Sequence, residues 1–134
     1  MQKAVEIKNL IKDYESFRVL KGFSFEIFQG EIFGLIGPNA AGKTTTLRII
    51  STLIQATSGE AKIFGYDVSK EGSKVREKIS YLPEEAGAYK NLSGKDYLEF
   101  MAGFYADNNE KRQKIVNKGI ELAKLGERIR DKAS

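Results

Sequence analysis

Gly37-Pro38-Asn39-Ala40-Ala41-Gly42-Lys43-Thr44 sets two glycines five positions apart, followed at once by a lysine and a hydroxyl. This matches the pattern G-x-x-x-x-G-K-[ST], and the spacing has a physical reason. A loop that wraps a phosphate with its backbone N–H groups must exclude bulky side chains at the closest approach. The helix after it then aims its positive end at the same phosphate. Lys43 is placed to reach the β- and γ-phosphates of a nucleotide, and the Thr44 hydroxyl to hold Mg²⁺. Thr45 continues the same first turn.

Such a loop is expected between a strand and a helix. Ile32-Phe33-Gly34-Leu35-Ile36 is a short continuous apolar run, which predicts a strand buried on both faces as in a parallel sheet. Lys43 to Leu53 reads as the helix, with Leu47, Ile50 and Ile54 on one side. Upstream, Ala4 to Leu10 and Phe23 to Ile27 alternate as half-buried strands, with Gln29-Gly30 as a turn. Downstream, Ser58-Gly59 reads as a break, Ala61 to Phe64 as a strand and Gly65-Tyr66-Asp67 as its turn. Ser73 to Lys78 is expected as a short helix, Ile79 to Leu82 as a strand stopped by Pro83, and 84–92 as a loop. Ser93 and Asp96 make a helix start, predicting a helix from Ser93 to Tyr105. A last helix, about Glu110 to Leu125, carries a stripe of Val116, Ile120 and Ala123. The front half is β-rich and the back half helical.

Composition narrows the chemistry. The 134 residues include no cysteine, histidine or tryptophan. A thiol nucleophile, a zinc finger, a Ser-His-Asp triad and an imidazole base are therefore excluded within this chain. Residues 110–134 carry 8 basic and 4 acidic side chains, an excess equal to the whole net charge of +4. Acidic residues are interspersed there and no aromatic follows Tyr105, so a solvated helix face is expected rather than a nucleic-acid surface. The longest uncharged runs, Ile32 to Gly42 and Ile49 to Gly59, are 11 residues each, below the roughly 20 of a membrane span. With no signal pattern at the N-terminus, a soluble cytoplasmic protein is expected.

The detailed form of the loop, with Gly37-Pro38-Asn39 before Ala41-Gly42-Lys43-Thr44-Thr45, resembles the ATP-binding subunit of ABC transporters. Leu20-Lys21-Gly22-Phe23-Ser24-Phe25-Glu26 with Gly30-Glu31, Ser58-Gly59-Glu60 with Ile63-Phe64-Gly65, and Tyr81-Leu82-Pro83-Glu84-Glu85 extend the likeness over essentially the whole chain. It is nearest to subunits paired with drug- or lipid-exporting permeases. The resemblance implies an α/β fold of the P-loop NTPase class, present in part. It would comprise an antiparallel β subdomain, the P-loop strand and helix, and part of the helical subdomain. Residues 1–134 then form a single partial domain, with 1–84 as nucleotide-binding core and 85–134 as Q-loop and helical region. It implies ATP and Mg²⁺ as ligands. Tyr14, 23 residues before Gly37, takes the place of the aromatic that stacks on adenine, and Phe17 and Val19 would line the same pocket. The loop residues Gly37 to Thr45 would hold the phosphates, and Glu84, where the family has its Q-loop glutamine, would join Thr44 at the metal. A permease and a second ATP-binding subunit are the implied partners, and the cytoplasmic face of the membrane the implied location.

The departures are equally specific. Ala40 stands where the family has glycine, a cost of about 1 kcal/mol if that position needs a positive φ. The LSGGQ signature, the apolar strand ending in Asp-Glu and the switch histidine are not among these residues. Leu92-Ser93-Gly94 imitates the signature, but Lys95-Asp96 follows, so a helix cap is expected. Phe104-Tyr105-Ala106-Asp107 closes a helical pattern and is not read as the missing strand. The chain is thus expected to be an N-terminal half that binds nucleotide without turning it over. It would complete its sheet with the missing C-terminal half or by self-association. Two rivals stay open: a self-sufficient small P-loop kinase or NTPase, and a non-catalytic phosphate-binding or assembly module. A GTPase is disfavoured, because Asn117-Lys118-Gly119-Ile120 lacks the aspartate of N-K-x-D.

Overall fold

An alternating strand needs a partner that buries the same side, and the first 28 residues supply one as a hairpin. In the computed structural model, which describes residues 1–38, 41–84 and 91–131, β1 (Lys3–Tyr14) pairs antiparallel with β2 (Phe17–Phe28). Their ends meet at Tyr14 opposite Phe17, across the turn Glu15-Ser16. β3 (Ser58–Ile63) lies on the other side of β1, and the two-residue β4 (Tyr66–Asp67) completes the order β2-β1-β3-β4. Helix α1 (Lys43–Ile50) packs against β2 and β3.

A bulge sets the phase of the core. Asn9 has φ 47°, and the β1–β3 register slips between Lys8 and Ile11. The extra residue turns Leu10 rather than Asn9 inward, so Ile7 and Leu10 are both buried although three apart. Gly59 answers from β3 at φ +89°. A Cβ there would lie 2.2 Å from the carbonyl oxygen of Asn9, so only glycine fits. Ser58-Gly59, expected as a break, is therefore the start of β3. Ile7, Leu10, Leu20, Ile49 and Ala61 form the core, with Val5, Phe23, Phe25 and Ile54 packed around them.

Other local expectations need correction. Neither Ile32–Ile36 nor Ile79–Leu82 forms a strand. A parallel strand buried on both faces needs neighbours on both sides, and no strand among the described residues pairs with either segment. Ile32 and Ile36 are instead fully exposed. Helix α1 stops at Ile50, short of Leu53, and buries Thr46 and Ile49 rather than Leu47, because that side faces the sheet.

The chain divides into two units, Met1–Tyr81 and Leu82–Ser134. In the first, α2 (Gly72–Arg76) follows β4. In the second, α3 (Gly94–Ala102) packs on α4 (Asn109–Ala123), burying Ala102 and Val116. Gly119 lets the helices close, since a Cβ there would lie 2.8 Å from Leu98 Cδ2. Arg112 Nε ties them by donating to the Glu99 carbonyl at 3.1 Å. Asn108 caps α4 by accepting from Lys111 N–H at 2.8 Å. In the expected stripe, Val116 is buried and Ile120 half-buried, but Ala123 is exposed in the last turn. A 3₁₀ helix over Gly126–Arg130 drops Ile129 onto Gly94. No helix among the described residues is long and apolar enough to cross a membrane.

Candidate nucleotide-binding site

Between Phe33 and α1 the chain turns sharply, and the described part of the loop shows how. Ala41 N–H donates to the Pro38 carbonyl at 3.2 Å, and a Cβ on Gly37 would meet Ala41 Cβ at 3.3 Å. Asn39 and Ala40, both expected in the site, lie outside the described residues, as does the expected cost at Ala40. Gly42 is buried with φ +90°. A Cβ there would sit 2.3 Å from Leu20 Cδ2 and 3.3 Å from the Val19 carbonyl. Glycine at this position is therefore required twice, once by the dihedral and once by the approach of β2.

Helix α1 begins without a side-chain cap and with no acidic residue in its first turn. Its leading N–H groups have no intrahelical acceptor and carry the positive end of the helix dipole. Lys43 folds back so that its ammonium donates to the Gly37 carbonyl, tying the two ends of the loop. Thr44 is exposed, whereas Thr46 is buried and donates to the Gly42 carbonyl at 2.8 Å. Of the first-turn threonines, Thr44 is the most exposed and Thr45 is half-buried.

Beside the loop lies a shallow pocket lined by Phe17, Arg18, Val19, Leu20, Lys21, Phe23 and Ala41. Phe17, Val19 and Ala41 are thereby brought together. Tyr14 sits opposite Phe17 in register and is 45% exposed, with Lys12 Nζ 5.0 Å from its ring centroid. It stands beside this pocket rather than in its lining. Glu84 is exposed and belongs to the second unit.

Sequence reasoning passed over Arg18 and Lys21. The signal was present: Phe17, Val19 and Lys21 alternate along one side of β2. Gly22, at φ +90°, then changes the phase before Phe23. Arg18 grips Asp13 with two hydrogen bonds, at 2.8 and 3.0 Å, and these hold the Asp13 carboxyl below its usual range. Lys21 is exposed. Among the described residues no cluster of three or more acidic side chains forms a ready metal site.

A glycine-pinned loop feeding an uncapped helix beside an antiparallel sheet defines a P-loop nucleotide-binding fold. The family model described as ABC transporter matches residues 20–133, and the chain belongs to that family, among its ATP-binding proteins. It is 36% identical over 128 residues to the linearmycin resistance ATP-binding protein LnrL of Bacillus subtilis (strain 168). That match covers 96% of this chain and 41% of the relative. It is also 36% identical over 99 residues to the daunorubicin/doxorubicin resistance ATP-binding protein DrrA of Streptomyces peucetius, covering 74% of this chain and 30% of that protein. Among solved structures, the dimeric post-hydrolysis state of the ATP-binding cassette MJ0796 bound to ADP and Pi superposes with a TM-score of 0.81. It shares 26% identity, with 96% of this chain and 60% of that chain covered. The chain spans about two fifths of the length of LnrL.

Proposed function

We propose that this chain binds Mg²⁺·ATP through Gly37 to Thr45 as the Walker A half of an ABC transporter ATP-binding subunit. The observation that carries the reading is the uncapped start of α1, facing a loop in which Gly42 accepts no side chain. The donor set fits the ligand: backbone N–H groups and Lys43 for phosphate oxygens, and the exposed Thr44 hydroxyl for a hard cation. Bound Mg²⁺ would neutralise phosphate charge, with the Thr44 hydroxyl as the group of this loop to hold it. On binding, Lys43 exchanges the Gly37 carbonyl for phosphate oxygens, which form stronger, charge-assisted bonds. Phe17 and Val19 would line the pocket for the base, and Tyr14 would stack on it.

The same reading takes residues 1–134 as one partial domain, a core over 1–84 and a Q-loop and helical region over 85–134. It makes a permease and a second ATP-binding subunit the partners of the whole assembly, at the cytoplasmic face of a membrane. LnrL and DrrA are named for antibiotic resistance, and drug export is the process proposed for the assembly. These 134 residues contain no histidine and no LSGGQ, so binding without sustained turnover is expected of this chain alone. Titration calorimetry with Mg²⁺·ATP, beside a phosphate-release assay, tests both parts. Absence of binding heat refutes the site. Sustained release that disappears in Lys43→Ala refutes the lack of turnover and restores the self-sufficient enzyme.

A further inference from the structure

Along β1 the period of two puts Lys12 and Tyr14 on the same side of the sheet. Lys12 lies opposite Leu20 and Tyr14 opposite Phe17, but the register slips between Lys12 and Asp13 and leaves Val19 without an opposite number. A slip of this kind disrupts the ladder locally, so the hairpin end that carries Tyr14 draws part of its position from elsewhere. The stretch after α1 supplies it. Thr57 N–H donates to the Ile11 carbonyl at 2.9 Å. Asp13 N–H donates to the Thr57 hydroxyl at 2.9 Å. The Lys12 ammonium donates to the Gln55 carbonyl at 2.8 Å.

The ammonium anchored in this way stands over the Tyr14 ring, 5.0 Å from its centroid. That is inside the reach of about 6 Å over which a cation is drawn to an aromatic face. Tyr14 is otherwise 45% exposed. An exposed ring is free to turn about its side-chain torsions, and immobilising it on a ligand costs entropy.

We propose that Lys12 is a positioning residue for the nucleotide base. Held by the Gln55 carbonyl, its ammonium fixes one face of Tyr14 and leaves the opposite face for the base. The entropy of ordering the ring is then lost on folding rather than on binding. Lys12 itself need not touch the nucleotide. The inference rests on the reading of Tyr14 as the stacking residue, and it adds what sets that ring.

Titration calorimetry of the 134-residue chain tests it, with Mg²⁺·ATP in one arm and Mg²⁺·tripolyphosphate, which has the phosphates and no base, in the other. Circular dichroism and urea unfolding serve as folding controls. Lys12→Met keeps a long apolar stem and removes the ammonium. It should raise the ATP dissociation constant roughly two- to fivefold, the fold-change of a surface cation–π contact, and leave tripolyphosphate unchanged. In a Tyr14→Leu background the same substitution should change neither. Lys12→Arg can meet both the ring and the carbonyl, and should bind ATP within about twofold of the wild type. An equal loss for both ligands in Lys12→Met overturns the proposal, since the lysine then acts through its charge or through the fold. The same loss with Tyr14 already removed overturns it as well. If Tyr14→Leu weakens ATP and Lys12→Met does not, positioning by Lys12 fails and stacking stands. If Tyr14→Leu leaves ATP unchanged, or the wild type binds none, the stacking reading fails and takes the proposal with it.

Discussion

The ammonium of Lys43 and the carbonyl of Gly37 close the loop on itself, six residues apart. The same lysine that a phosphate would engage is held at the mouth of the loop by a neutral acceptor. In the proposed complex a phosphate oxygen would replace that acceptor with a stronger, charge-assisted bond. Lys43→Ala should therefore weaken Mg²⁺·ATP by about 1.5–3 kcal/mol, the worth of a hydrogen bond to a charged group. Calorimetry reads this directly, and an unchanged dissociation constant removes the loop from the site.

Gly42→Ala tests the platform rather than the ligand. The new methyl meets Leu20 at a dihedral that L-residues avoid. The two effects together should cost about 2–4 kcal/mol of unfolding free energy. Urea denaturation measures it, and a loss under about 0.5 kcal/mol would show that β2 simply moves aside.

Stacking by Tyr14 is the second part of the proposed site. Its ring lies directly opposite Phe17 across the hairpin, 5.0 Å from the Lys12 ammonium, which donates to the Gln55 carbonyl. Tyr14→Ala should weaken ATP by about 0.5–1.5 kcal/mol and leave inorganic phosphate unaffected. Equal losses for the two ligands would mean that Tyr14 supports the hairpin and not the base.

Ser93→Ala separates the imitation signature from a real one. The Ser93 hydroxyl donates to Asp96 Oδ2 at 2.6 Å and accepts from Asp96 N–H at 3.1 Å, and the residue is buried. This capping box leaves no hydroxyl for a nucleotide. The substitution should cost about 1 kcal/mol of stability and nothing in ATP affinity. A nucleotide effect without a stability effect would reverse the assignment.

The sequence by itself determined whatever rests on short-range pattern. Gly42-Lys43-Thr44, the Ser93–Asp96 cap and the alternation of β1 and β2 are legible because each depends on neighbours within a few residues. The family was legible for the same reason, in its runs of adjacent residues. Tertiary structure decided the rest. Leu10 lies inside because Asn9 bulges against Gly59, some 50 residues away, and no local window contains both. The inner side of α1 is Thr46 and Ile49 because the sheet lies there, although hydrophobicity alone favours Leu47. Ile32–Ile36 has every mark of a buried strand, yet no strand among the described residues pairs with it. A strand is a property of a pair, and one sequence window shows only half of that pair.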